Sequence, residues 1–284
     1  MAPPTAAREA KLNLTKRYVF FVSDSTGLTA EGLGSALLAQ FSKTATEKVF
    51  MPYTDTAEKA RKALLRIRSA AQLGDARPLI IATILDPAIR QIICRSDGYV
   101  IDVFGSFLDG LAAELGEQAS AQVGRSHINP ADAKAQRRID AVNFALANDD
   151  GIQTRHYDQA DIILVGVSRS AKTPSCLYLA MQFGIFAANY PLTDEDLERG
   201  TLPAALRPFV DKLFALTIAP TRLAEIRHER RAGSQYASPK QCTWEVREAA
   251  LIAQQANLPV LETTNLSVEE IATRILLHSK LERR

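Results

Sequence analysis

From residue 18 onward, short apolar runs alternate with longer stretches whose apolar residues recur every three or four positions. The runs at 18–22, 47–53, 78–85 and 99–104 predict strands. Between them, Ala30, Leu33, Leu37 and Phe41 share one face of a helix expected over 29–41, and 56–73 and 86–95 predict two more. Helical spacing returns over 107–115 and 131–147, the second with Ala135, Ile139, Val142 and Leu146 on one side. The alternation then resumes, with strands at 162–165, 186–190, 213–218 and 259–263. Helices are expected after residue 171 and over 193–199, 220–231, 241–256 and 267–281. Strands that alternate with helices imply parallel sheets with crossover helices, an α/β fold. The polar, aperiodic stretch 153–159 sets a boundary near 155. The expected organisation is a disordered tail over 1–17, a mostly parallel-sheet α/β domain over 18–155 and a second α/β domain over 156–284.

The segment 161–174 carries the strongest chemistry. Four apolar residues run into Gly166, Val167, Ser168, Arg169, Ser170, Ala171, Lys172 and Thr173, and then into Leu177, Ala180, Met181 and Gly184 at helical spacing. Pro174 suits a first helical turn, where its missing N–H costs nothing. A strand, a tight turn and a helix start aim free amides and a positive dipole end at one point, which is an anion site. Gly166-x-x-x-x-Ala171-Lys172-Thr173 is one residue from the phosphate-loop pattern G-x-x-x-x-G-K-[ST]. In that pattern the lysine reaches the terminal phosphates and the Thr173 hydroxyl ligands Mg²⁺. Ala171 is the departure: its methyl group fits only where the backbone keeps a negative φ.

Other residues fit the same chemistry. Ser23-Asp24-Ser25-Thr26-Gly27 is a second hydroxyl-rich turn after a strand, and Asp24 could ligand Mg²⁺ or accept a hydroxyl proton there. The 131–147 helix runs into Asn148-Asp149-Asp150-Gly151. Glycine is an ordinary stop, but two acids at a negative dipole end are unfavourable and point to a cation or a proton-transfer task. The strand at 213–218 has no terminal aspartate, so a second carboxylate is expected from Asp24 or from Asp149 and Asp150, across a cleft between the domains. His127 stands alone in a loop, and Arg227 and Arg230 close a helix where basic residues are favoured with or without a ligand.

Composition narrows the function classes. With 284 residues, 46% hydrophobic and 23% charged, the chain can bury one large core or two modest ones. The 34 basic and 32 acidic residues leave a net charge of +2, so no bulk attraction to nucleic acid or membrane is expected. Its apolar runs are too short to span a bilayer, and 1–11 lacks the apolar core of a signal peptide. Cys94, Cys176 and Cys242 are far apart, which argues against a disulfide framework or zinc site and for a cytoplasmic protein.

The chain resembles the bacterial phosphoenolpyruvate synthase regulatory proteins, relatives of the plant pyruvate, phosphate dikinase regulatory protein. The likeness rests on Ser-Asp-Ser-Thr-Gly-Leu-Thr-Ala-Glu at 23–31, Arg-Ile-Asp-Ala-Val-Asn-Phe-Ala-Leu-Ala-Asn-Asp-Asp-Gly at 138–151 and Gly-Val-Ser-Arg-Ser-Ala-Lys-Thr-Pro at 166–174. The stretches 176–192 and 227–238 extend it, and the chain departs from the family pattern at Ala135, Asn148 and Ala171. The resemblance implies a bifunctional enzyme with a kinase-like phosphate-loop domain. One activity uses ADP to phosphorylate a threonine of phosphoenolpyruvate synthase; the other uses inorganic phosphate to remove it, releasing pyrophosphate. On this reading the loop 166–173 binds ADP, Thr173 meets Mg²⁺, and Lys172, Arg169, Asp24, Asp149 and Asp150 are the catalytic candidates. A homodimer is compatible with it. Three alternatives stay open: the dikinase as target, a small-molecule kinase, and a nucleotide-sensing interaction protein without turnover.

Overall fold

The computed structural model describes residues 17–41, 44–74, 76–120, 133–151, 154–231, 233–279 and 281. Residues 1–16 of the expected tail and His127 lie outside the described residues, and Arg17, expected in the tail, opens the first strand. The chain divides into two compact units, Met1–His127 and Ile128–Arg284.

The first unit is built from β1 (Arg17–Ser23), α1 (Leu28–Leu38), β2 (Thr46–Met51), α2 (Ala57–Leu73), β3 (Leu79–Thr83), α3 (Pro87–Cys94), β4 (Tyr99–Asp102) and α4 (Val103–Leu115). Its strands pair in parallel in the order β2-β1-β3-β4. Alternation along the strands separates two cores: Phe20, Val22 and Ile80 pack with Ile67 and Ile93, whereas Val19, Phe21 and Ile81 pack with Ala30 and Val103. The helix expected over 29–41 forms over Leu28–Leu38, and the expected face holds only at its start, where Ala30 and Leu33 pack against the sheet. Leu37 and Phe41 are exposed, and Ala30 and Gly34 are its buried residues. A Cβ at Gly34 would lie 2.6 Å from Phe21 Cε1 and 2.8 Å from Ile81 Cδ1, so the helix approaches the sheet through its smallest residues. Helix α4 begins directly after β4 because Asp102 caps it, accepting from the Gly105 N–H at 3.0 Å.

The second unit contains α5 (Ala133–Ala147), β5 (Ile162–Gly166), α6 (Lys172–Phe183), β6 (Ala187–Pro191), α7 (Asp194–Arg199), β7 (Leu213–Thr217), α8 (Pro220–Arg230), α9 (Pro239–Gln255), β8 (Val260–Glu262) and α10 (Val268–Ser279). Its parallel order, β6-β5-β7-β8, repeats that of the first sheet. In each sheet the earliest strand lies between the two that follow it, so the turn after β1 or β5 opens at the carboxyl edge where the winding reverses. Such edges are where α/β sheets bind ligands.

Helix α5 belongs to this second unit, so the boundary expected near 155 falls inside it. Its Ala141 and Ala145 pack with Leu179 and Ala180 of α6. Ile139 and Leu146, expected on the apolar face, are exposed. The observed contact runs through small residues, and Arg137 fixes it by donating to the Gly184 carbonyl at 3.0 Å and to Asp161 at 3.2 Å.

Candidate active site

Strand β5 is buried along its whole length and delivers the chain to the turn at Gly166. Gly166 has φ 155°, and a Cβ there would run into the Leu216 carbonyl on β7, so no other residue fits. Val167 is buried with Ile218, Leu223 and Cys242. Its carbonyl accepts from the Ser170 hydroxyl at 2.9 Å and from the Lys172 ammonium at 2.7 Å, and these two bonds close the loop on itself. Ser170 is therefore a framework residue, fully buried.

Arg169 and Ala171 both have positive φ, 76° and 67°. The condition set from the sequence, a negative φ at Ala171, is not met. The backbone follows the left-handed path of the glycine pattern with an alanine in place, at a cost of about 1–2 kcal/mol. Ala171→Gly should accordingly stabilise the protein by about 1 kcal/mol, read as a higher urea midpoint at unchanged slope.

The loop opens on a cavity of about 610 Å³ lined by Arg169, Lys172, Thr173, Asp149, Asp150 and Arg230, among others. Lys172 is buried, and burial pushes its ammonium down to about 8, with Cys176, Asp150 and Asp149 opposing the shift. Thr173 donates its hydroxyl to Asp149 Oδ1 at 2.9 Å, and the Asn189 side-chain amide donates to the same oxygen. The Asn189 side-chain oxygen accepts from the Asp150 N–H at 3.2 Å, and its backbone carbonyl accepts from the buried Tyr157 hydroxyl at 2.8 Å. Asp150 (φ 56°) and Gly151 (φ 65°) make the sharp stop that aims both aspartates at the loop. Asp149 is thus held by two donors. The Asp150 carboxylate is exposed and has no hydrogen-bond partner among the described residues.

The aspartate pair and the loop 166–173 lie in the same unit, so the pair does not have to cross from the first unit as expected. Asp24 belongs to that first unit, where its carboxylate accepts from the Leu85 N–H at 2.6 Å and burial raises its pKa. Arg227, a candidate phosphate contact in the sequence, faces inward. It is fully buried, forms a bidentate pair with Glu245 at 2.8 and 2.6 Å, stacks 3.9 Å from the Tyr236 ring and donates to the Ser168 carbonyl at 3.1 Å. The Tyr236 hydroxyl donates to Ser168 Oγ at 2.9 Å. The segment after α8 therefore clamps the middle of the loop. Asn189 and this clamp were not found from the sequence. The one signal for Asn189 was a polar residue inside an apolar strand.

Thr173 and the two carboxylates offer only oxygen donors, the set a hard cation takes when phosphates complete its shell. Among the described residues no cluster of three or more His, Cys, Asp or Glu could hold a metal on its own. None of the described helices is long and apolar enough to cross a membrane.

A parallel α/β unit with a lysine-bearing strand-to-helix loop facing carboxylates is an architecture that phosphoryl-transfer proteins use. The family model described as kinase/pyrophosphorylase matches residues 19–276, and the chain belongs to that family. A protein of Marinobacter nauticus named "Putative phosphoenolpyruvate synthase regulatory protein" is 55% identical over 268 residues, 94% of this chain and 99% of the relative. Proteins of the same name from Hahella chejuensis and Stutzerimonas stutzeri are each 52% identical, over 94% and 95% of this chain and 98% and 99% of their own lengths.

Proposed function

We propose that the chain is a bifunctional regulator of phosphoenolpyruvate synthase in the cytoplasm, acting at the cavity beside Lys172. It phosphorylates a threonine of the synthase with ADP and removes that phosphate with inorganic phosphate. The observation that carries this reading is the convergence of loop, lysine and aspartate pair on one cavity; the family and the relatives' names support the target.

In the kinase direction the threonine oxygen attacks the β-phosphorus of ADP, the bond to the bridging oxygen breaks and AMP leaves. The hydroxyl proton passes to Asp150, the carboxylate with no hydrogen-bond partner among the described residues. In the reverse direction an oxygen of inorganic phosphate attacks the phosphothreonine phosphorus, the threonine oxygen leaves with a proton, and pyrophosphate is released. Loop amides, Lys172 and Arg169 stabilise the transferring group in both directions, because phosphoryl transfer needs positioning and positive charge more than covalent help. Thr173 and Asp149 would hold a magnesium ion, whose contribution is to neutralise phosphate charge.

Mixing the protein with ADP and the synthase should give a phosphothreonine by mass spectrometry, and later addition of phosphate should yield pyrophosphate. An unmodified synthase with ADP bound would refute the synthase reading and leave the dikinase target, a small-molecule kinase or the nucleotide-sensing protein.

The lysine also sets a pH dependence. Between about 8 and its ordinary 10.5, Lys172 lacks in the folded protein a proton that the unfolded chain holds. This group's effect on stability therefore rises with pH across that window. A bound diphosphate restores the charged form, so ADP binding should take up a proton above pH 8 and weaken as pH rises further. Calorimetry in buffers of different ionisation enthalpy measures both; binding without proton uptake at pH 9 would refute the assignment.

A further inference from the structure

A second cavity, about 470 Å³, is lined by Arg169, Arg230, Arg231 and Tyr236. Arg169 and Arg230 also line the loop cavity. The Tyr236 hydroxyl is engaged with Ser168, so the residue forms a fixed wall and leaves the arginines as the binding groups. None of the three guanidiniums has a hydrogen bond or an ion pair among the described residues. Several other arginines of this unit are matched to acids: Arg137 to Asp161, Arg199 to Glu195, Arg222 to Glu225 and Arg227 to Glu245. Arg138 and Arg155 also lack an ion pair among the described residues, but neither lines this pocket with the other free cations. Three unmatched cations around one pocket repel each other until an anion arrives. Two of them sit side by side at the end of α8, whose negative dipole end and carbonyls offset part of that repulsion. Arg169 is held in the left-handed region by the loop, a strained conformation of the kind that clusters at functional sites.

We propose that Arg169, Arg230 and Arg231 form a second anion subsite that binds a phosphate dianion while the loop holds nucleotide. The guanidinium fork suits a phosphate group bidentately. The volume admits a phosphorylated side chain as well as the free ion. Both the free ion and a phosphorylated residue of the protein substrate present this group, and the reverse reaction has to hold two phosphates at once. The inference rests on the loop being the nucleotide site.

The test is calorimetric titration of the ADP- and magnesium-saturated full chain with inorganic phosphate and, separately, with a phosphothreonine peptide. Arg231→Gln should weaken whichever probe binds by about tenfold, and Arg231→Lys by less. Both variants should keep the ADP affinity of the parent within about twofold. Binding of phosphate alone assigns the subsite to the free ion, and binding of the peptide alone assigns it to the protein substrate. Failure of both probes to bind, or equal binding to Arg231→Gln, overturns the proposal. If ADP itself does not bind, the loop reading fails separately. The same titrations on nucleotide-free protein then decide the subsite by their sensitivity to Arg231→Gln.

Discussion

Lys172→Met is expected to abolish both ADP-dependent phosphorylation and phosphate-dependent dephosphorylation, each falling by at least about 10²–10³-fold. The ammonium is the buried cation of the loop, Arg169 being exposed, and Met matches its length without the charge. The fold should survive, because a buried charge already disfavoured by its surroundings is what is removed. Val167 loses one donor but keeps the Ser170 hydroxyl. Initial rates of phosphothreonine formation and of pyrophosphate release, with circular dichroism as the folding control, measure the effect. If only one activity is lost, the two reactions use separate sites.

Glu245→Ala should be the most destabilising single change in the second unit, about 3–5 kcal/mol. It leaves the Arg227 guanidinium fully buried without its carboxylate, and the Arg227 Nε already has no partner. For a unit of this size that corresponds to a melting point lower by roughly 10 °C. Because Arg227 also holds the Ser168 carbonyl, ADP affinity should fall with stability although Glu245 does not line the loop cavity. Replacing both partners, Arg227→Met with Glu245→Leu, should restore much of the stability by removing the buried charges together, but not the grip on Ser168. Thermal melts and ADP titrations of the three variants separate these effects; a Glu245→Ala protein as stable as the parent would refute the account.

The sequence was informative wherever the chemistry lay in consecutive residues. The strand–turn–helix around 166–173 could be read because a buried strand, eight turn residues and a helix start follow one another. Asp149 and Asp150 stood out because acids at a helix end break a local electrostatic rule. Pairs distant in sequence left no such trace. Arg227 and Glu245, Tyr236 and Ser168, and Asn189 and Asp149 meet only after the sheet has formed. Each looks ordinary on its own segment, and Arg227 looked like a solvated helix-end cation. Helix faces were misjudged for a related reason. On α1 and α5 the closest packing uses Gly34, Ala141 and Ala145, which carry little weight in a pattern built on large apolar side chains. The left-handed φ at Ala171 was also out of reach, since the residue type argued against it.

The Lys172 amine is folded under the turn and bonded to a carbonyl of its own loop. Acylating metabolites and lysine-labelling reagents attack free, solvent-facing amines, so the resting protein shields this nitrogen from covalent damage. On the proposed function, the side chain on which transfer depends is stored in the same place from which it acts.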